Sequence, residues 1–390
     1  MTDLINQSLN DESIRKAQFP VLEESSFLAH AGVAALPQAA RSALIDYADY
    51  ASRKGQEDEF IWKRIAEARA RAASLIDAKP SEIALLGPTA LGLNLVANGW
   101  PWEPDDEVVY YQDDYPANVY PWLALKERGV KPVPLAPERM GEITWKTVES
   151  VLTPATRMVA LASCHYLTGY RIDIDDIGRR LHERNVLFCL DGIQTLGAFP
   201  TSVKHVDFLS ADSHKWMLGP VGAGLFYVRE ALHEQLQPTL LGAWNVFSPE
   251  FVAQDRVAFY NGARRYEPGS LNIPGILAMD ASLEMLQEAG IPFIAERIRA
   301  LADTLSGALR ERGFETPSCM TDAEDKHRSG IVSVSHPVRD LSGIYERLTD
   351  AGVRLSMRRA RNETPFLRFS PHVYNTQSDL DRALVAIDSV

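Results

Sequence analysis

The most informative stretch of this 390-residue chain is Ser210-Ala-Asp-Ser-His-Lys-Trp-Met-Leu-Gly-Pro-Val-Gly-Ala-Gly-Leu-Phe-Tyr-Val-Arg229, which sets Lys215 between an apolar strand and a glycine-rich hairpin. Upstream, Val186-Leu-Phe-Cys-Leu190 predicts a fully buried strand, and Asp191 follows it directly. Most lysines are solvated, and an Asp after a strand is often only a helix cap. Asp191 and Lys215 together therefore indicate a functional site more strongly than either residue does alone.

Short apolar strands alternate with helical stretches between residues 83 and 228. The predicted strands are 107–111, 133–135, 158–162, 186–190 and 206–211, with 222–228 predicted to run antiparallel. This alternation implies crossover connections and hence an α/β fold, with a mostly parallel sheet covered by helices on both faces. In such a sheet the ligand binds beyond the carboxyl ends of the strands, where Asp191 and the residues after 206–211 are expected.

The chain divides by pattern into three parts. Residues 1–26 are polar and acidic and predict an N-terminal arm that packs on the body of the protein. Residues 27–273 predict a large domain, in which Pro37 is expected at the first position of a helix. Residues 274–390 begin with two long helices and continue with short strands, which predicts a smaller C-terminal α+β domain.

The charge, the apolar runs and the cysteines of the chain limit which partners and which cellular location can be expected. The net charge of −12 argues against a nucleic-acid or anionic-membrane partner. No apolar run approaches the ~18 residues that span a bilayer, and the first residues do not have the pattern of a signal peptide. Cys164, Cys189 and Cys319 have neither metal-ligand nor disulfide spacing, so no metal site is expected and a reducing cytoplasm is the predicted location.

The run from Asp191 to Lys215, with His214 before the lysine and glycines at 219, 222 and 224 after it, resembles the class V aminotransferase family. These are pyridoxal phosphate (PLP) enzymes of fold type I, and the resemblance extends from Phe27 to the C-terminal helix. It implies the PLP-dependent transferase fold with a sheet of the seven-stranded type. It also implies that Lys215 forms the Schiff base with the cofactor and that Asp191 pairs with the pyridine nitrogen, so that the ring can act as an electron sink.

Further cofactor contacts follow from the resemblance. Gly87-Pro-Thr-Ala-Leu91 predicts a turn and a helix start, where free N–H groups and the Thr89 hydroxyl can hold a phosphate together with Ala90. The alternative is plain capping of the helix by Thr89. Tyr115 matches the residue that stacks on the pyridine ring, and Gln194 matches the residue that hydrogen-bonds the cofactor's phenolic oxygen.

The phosphate is expected to have contacts from two subunits. His214 and Ser270 match phosphate-binding positions, and in the family the Gly269-Ser270 pair comes from the neighbouring subunit, which implies a homodimer with shared active sites. Asp212 occupies the position where the cysteine desulfurases of this family carry a phosphate-binding serine. A carboxylate would repel the phosphate, so Asp212 is expected to point away from it or to hold a hydroxyl or a lysine. His165 and Tyr166 are candidates without an assigned role.

Arg368 is the candidate substrate residue. Leu367-Arg-Phe-Ser-Pro-His-Val-Tyr-Asn-Thr376 resembles the family motif whose arginine binds the substrate α-carboxylate, which a guanidinium can hold through two parallel hydrogen bonds. The alternative is an arginine paired with a nearby acid. Desulfurases also need a cysteine shortly before this arginine, and residues 351–365 contain none, so desulfurase-type persulfide chemistry is not expected.

The resemblance implies chemistry at the α-carbon of a small amino acid, and transamination is the first expectation. A β-eliminating carbon–sulfur lyase and an epimerase remain alternatives, because the three reactions share proton removal by Lys215 and diverge afterwards. A non-catalytic paralogue is less favoured, since Lys215, Asp191 and Arg368 are all present.

Overall fold

The N-terminal part of the chain is helical and lies against the body of the protein. The structure is a computed structural model that describes residues 4–389; residues 1–3 of the predicted arm and residue 390 lie outside the described residues. The elements are α1 (Leu4–Asn10), α2 (Glu12–Gln18), α3 (Val21–Glu24), β1 (Ser26–Phe27), α4 (Gln38–Lys54) and α5 (Glu59–Leu75). The apolar side chains of the arm are buried against the body: Ile5, Phe19 and Leu22. Pro37 is the N-cap of α4, with extended backbone, and not its first helical residue as predicted.

A seven-stranded sheet forms the centre of the molecule. Its strands are β2 (Ile83–Leu86), β3 (Glu107–Tyr111), β4 (Lys131–Leu135), β5 (Thr156–Ala162), β6 (Leu187–Asp191), β7 (Phe208–Asp212) and β8 (Gly224–Val228). Their order is β2-β8-β7-β6-β5-β3-β4, and only β8 runs antiparallel to its neighbours. The predicted α/β class and the antiparallel direction of 222–228 are therefore confirmed, whereas β2 was not among the predicted strands.

Helices cover both faces of this sheet. The connections between its strands contain α6 (Thr89–Gly99), α7 (Tyr120–Ala124), α8 (Trp145–Glu149) and α9 (Ile174–His182). Neighbouring strand residues divide between two cores: Val109 and Leu190 pack on the face of α5, while Val108 and Cys189 pack on the face of α6. Because successive side chains of a strand point to opposite faces, a strand that is apolar at every position needs cover on both sides.

The C-terminal part adds two small sheets. Its elements are α10 (Ile273–Ala289), α11 (Ile291–Glu311), α12 (Ser318–Thr321), β9 (Val332–Val334), α13 (Leu341–Asp350), β10 (Val353–Arg354), β11 (Ser356–Arg359), β12 (Pro365–Phe369) and α14 (Gln377–Asp388). The strands β11, β12 and β9 form an antiparallel sheet, and β1 pairs with β10 in parallel. Ile276 and Leu283 of α10 join the core of the large sheet, and the domain boundaries at 27 and 274 stay a prediction. None of the described helices is long and apolar enough to cross a membrane.

Candidate active site

A cavity of about 410 Å³ lies at the carboxyl ends of β2, β6 and β7. Of the residues predicted from the sequence, it is lined by Thr89, Ala90, Tyr115, Asp191, His214, Lys215 and Arg368. Gln194 and Ser270 are not among its lining residues. The sheet thus brings most of the predicted site together, because the residues that follow parallel strands share one edge.

Lys215 lies in a tight turn after β7. The Gly219 N–H donates to the Ser213 carbonyl at 2.9 Å, and the Leu218 N–H donates to the Lys215 carbonyl at 3.1 Å. The lysine is only 8% exposed, and its Nζ lies 5.4 Å from the centroid of the Tyr115 ring. Burial lowers the pKa of Lys215 to about 8, although the Asp191 charge opposes the shift. The turn therefore presents an amine that is available as a nucleophile near neutral pH.

Asp191 is the last residue of β6 and is 3% exposed. Its Oδ1 accepts a hydrogen bond from the Ile193 N–H at 3.0 Å. Burial raises the pKa of Asp191, and the Ile193 hydrogen bond and the charge of Lys215 oppose that rise. A buried acid at this place needs a cationic partner to stay ionised, which is what a protonated pyridine nitrogen provides.

Tyr115 is held by a second buried acid. Its backbone N–H donates to Asp114 Oδ1 at 2.7 Å, and Asn118 Nδ2 donates to Asp114 Oδ2 at 3.1 Å. Burial and the nearby Asp191 raise the pKa of Asp114 to about 7. The Tyr115 ring is half exposed and meets the Tyr166 ring edge to face at 5.5 Å between centroids. Its face is thus accessible from the cavity, and its stacking on the cofactor stays a prediction.

The N-terminus of α6 has unused donors. Thr89 is its first helical residue and Pro88 is the N-cap, so Thr89 does not cap the helix. Its Oγ1 accepts from the Asp212 N–H at 2.9 Å, which leaves the hydroxyl proton free to donate. Within residues 4–389, the N–H groups of Thr89 and Ala90 donate to no other group, while the Leu91 N–H donates to Pro88 O. Such orphan donors at a helix N-terminus fit a phosphate.

Asp212 is buried and does not line the cavity. Its Oδ2 accepts from the Gly222 N–H at 3.1 Å and lies 3.1 Å from His214 Nδ1. The carboxylate thus contacts a backbone donor and an imidazole; of the two expectations, it does not hold a hydroxyl or a lysine. His214 is the residue of this pair that lines the cavity.

Gln194 and His165 are both bonded to other parts of the protein. Gln194 Oε1 accepts from Trp216 Nε1 at 2.8 Å and its Nε2 donates to Ala31 O at 3.1 Å, so its contact with the cofactor stays a prediction. His165 Nδ1 accepts from the Thr168 N–H at 3.2 Å, which makes Nε2 the donor to a backbone carbonyl. Burial lowers the pKa of His165 to about 4, so it is a neutral residue that supports the site from outside the cavity.

Arg368 on β12 is a buried guanidinium without an acid. It is 2% exposed, its Nη1 donates to Tyr166 O at 2.7 Å, and its Nη2 lies 3.4 Å from Ser356 Oγ. Its Nε has no hydrogen-bond partner, and no carboxylate of the described residues forms an ion pair with it. Burial and the neighbouring Arg358 lower the pKa of Arg368 to about 9, so it remains a cation at neutral pH. The alternative of a structural arginine–acid pair is therefore wrong.

Arg358 and Tyr166 also line the cavity. Arg358 was not among the residues predicted for the site, and Tyr166 was a candidate without an assigned role. The period-two pattern of β11 is the feature that could have identified Arg358, because it shares a strand face with Ser356, whose partner across the sheet is Arg368.

No cysteine reaches the cavity. Cys164, Cys189 and Cys319, which are all the cysteines of the chain, are free and buried, and none of them lines it. Burial raises the pKa of Cys319 to about 11 and that of Cys164 to about 12, so these thiols stay protonated near neutral pH. Within residues 4–389 there is also no group of three or more His, Cys, Asp or Glu side chains placed to hold a metal ion.

These side chains fit pyridoxal phosphate group by group. The orphan donors of Thr89 and Ala90 suit its phosphate, the buried Asp191 suits its ring nitrogen, and the amine of Lys215 suits its aldehyde. The family model for class V aminotransferases matches residues 26–383. The chain belongs to this family, and it is a PLP-dependent enzyme of fold type I.

Many of its relatives carry desulfurase names, although the uncharacterized aminotransferase YcbU of Bacillus subtilis is also 27% identical, with 94% of each chain covered. A probable cysteine desulfurase of Methanothermobacter thermautotrophicus is 26% identical, with 95% of this chain and 96% of the relative covered. The solved structure of the cysteine desulfurase CsdA from Escherichia coli is 25% identical with a TM-score of 0.85, covering 97% of this chain and 98% of that one. The cystine C–S lyase C-DES, at 21% identity and a TM-score of 0.84 over 94% of this chain and 98% of its own, shares the fold.

Proposed function

We propose that this protein is a carbon–sulfur lyase that eliminates the sulfur substituent from a cysteine derivative and leaves no persulfide on the protein. The observation that carries the proposal is a cavity with a base, an acid and an unpaired guanidinium but no thiol. The overall change is balanced: a cysteine S-conjugate and water give a thiol, pyruvate and ammonium. No oxidant or second amino acid is required.

The relatives support elimination over transamination, which was the first expectation from the sequence. The desulfurases named above act, by their names, on the sulfur of cysteine. This chain keeps the groups for α-proton removal but has no cysteine between residues 351 and 365 to receive the sulfur. Direct release of a sulfur leaving group is the variant of that chemistry which needs no thiol.

Each side chain has a definite task in this proposal. Bound pyridoxal phosphate supplies the sink for the electrons released at the α-carbon. Lys215 Nζ, neutral above a pKa of about 8, takes the α-proton as general base. Asp191 stabilises the positive charge on the ring nitrogen. Arg368 binds and orients the α-carboxylate, which replaces the acid that the guanidinium lacks in the protein.

We further propose the homodimer that the sequence predicted, with Ser270 completing the phosphate site of the partner subunit. Ser270 is exposed and stands outside its own subunit's cavity, which is compatible with a role across an interface. The cytoplasmic location likewise stays a prediction; the three free cysteines are compatible with it.

The reaction can be identified with the purified holoenzyme and a panel of cysteine S-conjugates and ordinary amino acids. We expect pyruvate, ammonia and thiol in equal amounts from the conjugates. In the variant with Cys164, Cys189 and Cys319 all changed to Ala, turnover should stay within a few fold, after correction for the stability lost at the buried strand residue Cys189. Keto acid formation without release of sulfur would favour transamination, and a cofactor-loaded but inactive cysteine-free variant would refute the thiol-free route.

A further inference from the structure

Two guanidinium groups line the active-site cavity, and neither has an acidic partner. Arg368 donates to a backbone carbonyl and lies near Ser356, while Arg358 Nη1 donates to Met357 O at 2.9 Å. Ion pairs elsewhere in residues 4–389 involve neither arginine, although the nearby Arg361 is paired with Asp113. Arg358 therefore retains most of its donors for a ligand.

The strand geometry directs Arg358 toward this cavity. Ser356 and Arg358 alternate along β11 with Met357, which packs against the C-terminal core, and with Arg359, which is exposed and donates to Glu363 O. Ser356 lies directly opposite Arg368 on β12. Arg358 is therefore the diagonal neighbour of Arg368 on the same face, at a residue-to-residue spacing of roughly 7–8 Å.

The charges that face the cavity do not balance. Its lining contains the cations Lys215, Arg358 and Arg368 and a single acid, Asp191. In the proposed function Lys215 and Asp191 bind the cofactor, and Arg368 binds the α-carboxylate. The guanidinium of Arg358 is then left without an assigned anion. The half-exposed side chain of Val33 also lines the cavity and offers an apolar surface for a thioether chain.

We propose, on the basis of the function proposed above, that the substrate carries a second anionic group at the end of its S-substituent and that Arg358 binds it. The anion is a carboxylate or a sulfur oxyanion, since both present the oxygen pair that a guanidinium holds through two hydrogen bonds. Arg358 is then a specificity-determining residue, whereas Arg368 serves every amino acid substrate.

The test compares two substrates that differ in one charge. S-carboxymethyl-L-cysteine and its neutral isostere S-carbamoylmethyl-L-cysteine are given to the holoenzyme, and kcat/KM is measured by pyruvate formation. We expect the acid to be preferred by about tenfold or more, as a charge-assisted pair in a partly buried site allows. S-sulfo-L-cysteine distinguishes a sulfur oxyanion from a carboxylate as the better ligand.

Variants assign the preference to one side chain. Arg358→Gln should bring the acid-to-amide ratio close to one, and Arg358→Lys should retain part of the preference. Arg359→Gln is the matched control, because Arg359 lies on the opposite face of β11, and it should leave the ratio unchanged. If Arg358 acted only on the Lys215 amine, its replacement would change kcat/KM equally for both substrates, and the acid-to-amide ratio would stay the same.

Binding is measured separately from turnover, by the change in cofactor absorbance when each compound is added. If no compound yields pyruvate but the acid still binds more tightly than the amide in an Arg358-dependent way, the proposed lyase function fails and the second anion site stands. Equal binding of the acid and the amide, or an equal loss of both in Arg358→Gln, would overturn the anion site.

Discussion

Lys215 shows how burial, more than any other influence, can lower the pKa of a lysine and so prepare it for catalysis. Its ammonium has lost most of its water, and the nearby Asp191 carboxylate restores only part of the lost stabilisation. The neighbouring cations Arg368 and Arg358 act in the same direction as burial. The lysine is thus nucleophilic without a dedicated base beside it.

The first prediction concerns the titration of this lysine in the cofactor-free protein. Because its pKa is lowered from 10.5 to about 8, the neutral amine predominates above pH 8, and its labelling should rise with a midpoint about there. Trace labelling with an amine-reactive reagent, quantified on the Lys215 peptide by mass spectrometry, measures this midpoint. In Asp191→Asn the midpoint should move to lower pH, because the carboxylate that favours the ammonium is gone. A midpoint near 10.5 would contradict the buried environment.

At the residue scale, the sequence was sufficient to predict residues of the cavity that lie at or beside a strand of regular pattern. Asp191, Lys215 and Arg368 could be predicted because each falls in a motif at or beside a strand of regular pattern. Arg358 was not predicted, because its place beside Arg368 depends on the pairing of β11 with β12. The partners of Asp212 were equally hidden, since Gly222 approaches it only once the hairpin to β8 has formed.

At the scale of elements, α6 positions the Thr89 and Ala90 donors that we predict to bind the phosphate. The helix lies directly on β7 and β8, with Ser210 Oγ donating to Thr89 O at 3.0 Å. Gly92 makes this approach possible: a Cβ atom there would lie 2.7 Å from Cβ of Ser210 and 2.9 Å from Cδ2 of Phe226. Gly92, one turn into α6, thus allows the N-terminus of the helix to lie this close to the sheet.

We therefore predict that Gly92→Ala lifts α6 away from the sheet. Overpacking of this kind costs typically ~1–3 kcal/mol, so the urea midpoint should fall, and PLP affinity should fall with it because the Thr89 and Ala90 donors move. Asn98→Ala, on the exposed face of the same helix, is the control and should change stability by no more than ~0.5 kcal/mol. Wild-type stability together with wild-type affinity in Gly92→Ala would show that the helix position is not set by this contact.

Six of the seven strands of the large sheet were predicted to within a few residues, because each carries a clear apolar pattern. The exception was β2, because the apolar run Ile83–Leu86 has no alternation that would distinguish a buried strand from part of a buried helix. This short strand precedes the turn at Gly87 and Pro88 and then α6. The sequence therefore predicted the turn and the helix start, but not the strand that supports them.

At the scale of the whole molecule, an exposed apolar segment is compatible with the homodimer proposed above. Residues 240–257 contain little regular structure, and Leu241, Phe247 and Phe251 are 56%, 52% and 72% exposed. An apolar surface of this kind, on a chain with a net charge of −12, is typical of a protein interaction site. Ser270 follows this segment and is exposed as well, in keeping with the proposed homodimer.

The final prediction is that two inactive variants restore each other. Lys215→Ala lacks the amine, and Ser270→Asp sets a carboxylate against the cofactor phosphate, so each homodimer should be inactive. If Ser270 acts on the partner subunit, a mixed dimer contains one site with both native residues. Random mixing then gives about a quarter of the wild-type activity, because half of the dimers are mixed and each has one working site. If Ser270 instead acts within its own subunit, every site in the mixture lacks one group and no activity returns. Mixing each variant with the wild type controls for subunit exchange, and sedimentation confirms that a species of twice the chain mass is present. Full activity of the Ser270→Asp homodimer on its own would refute the phosphate role.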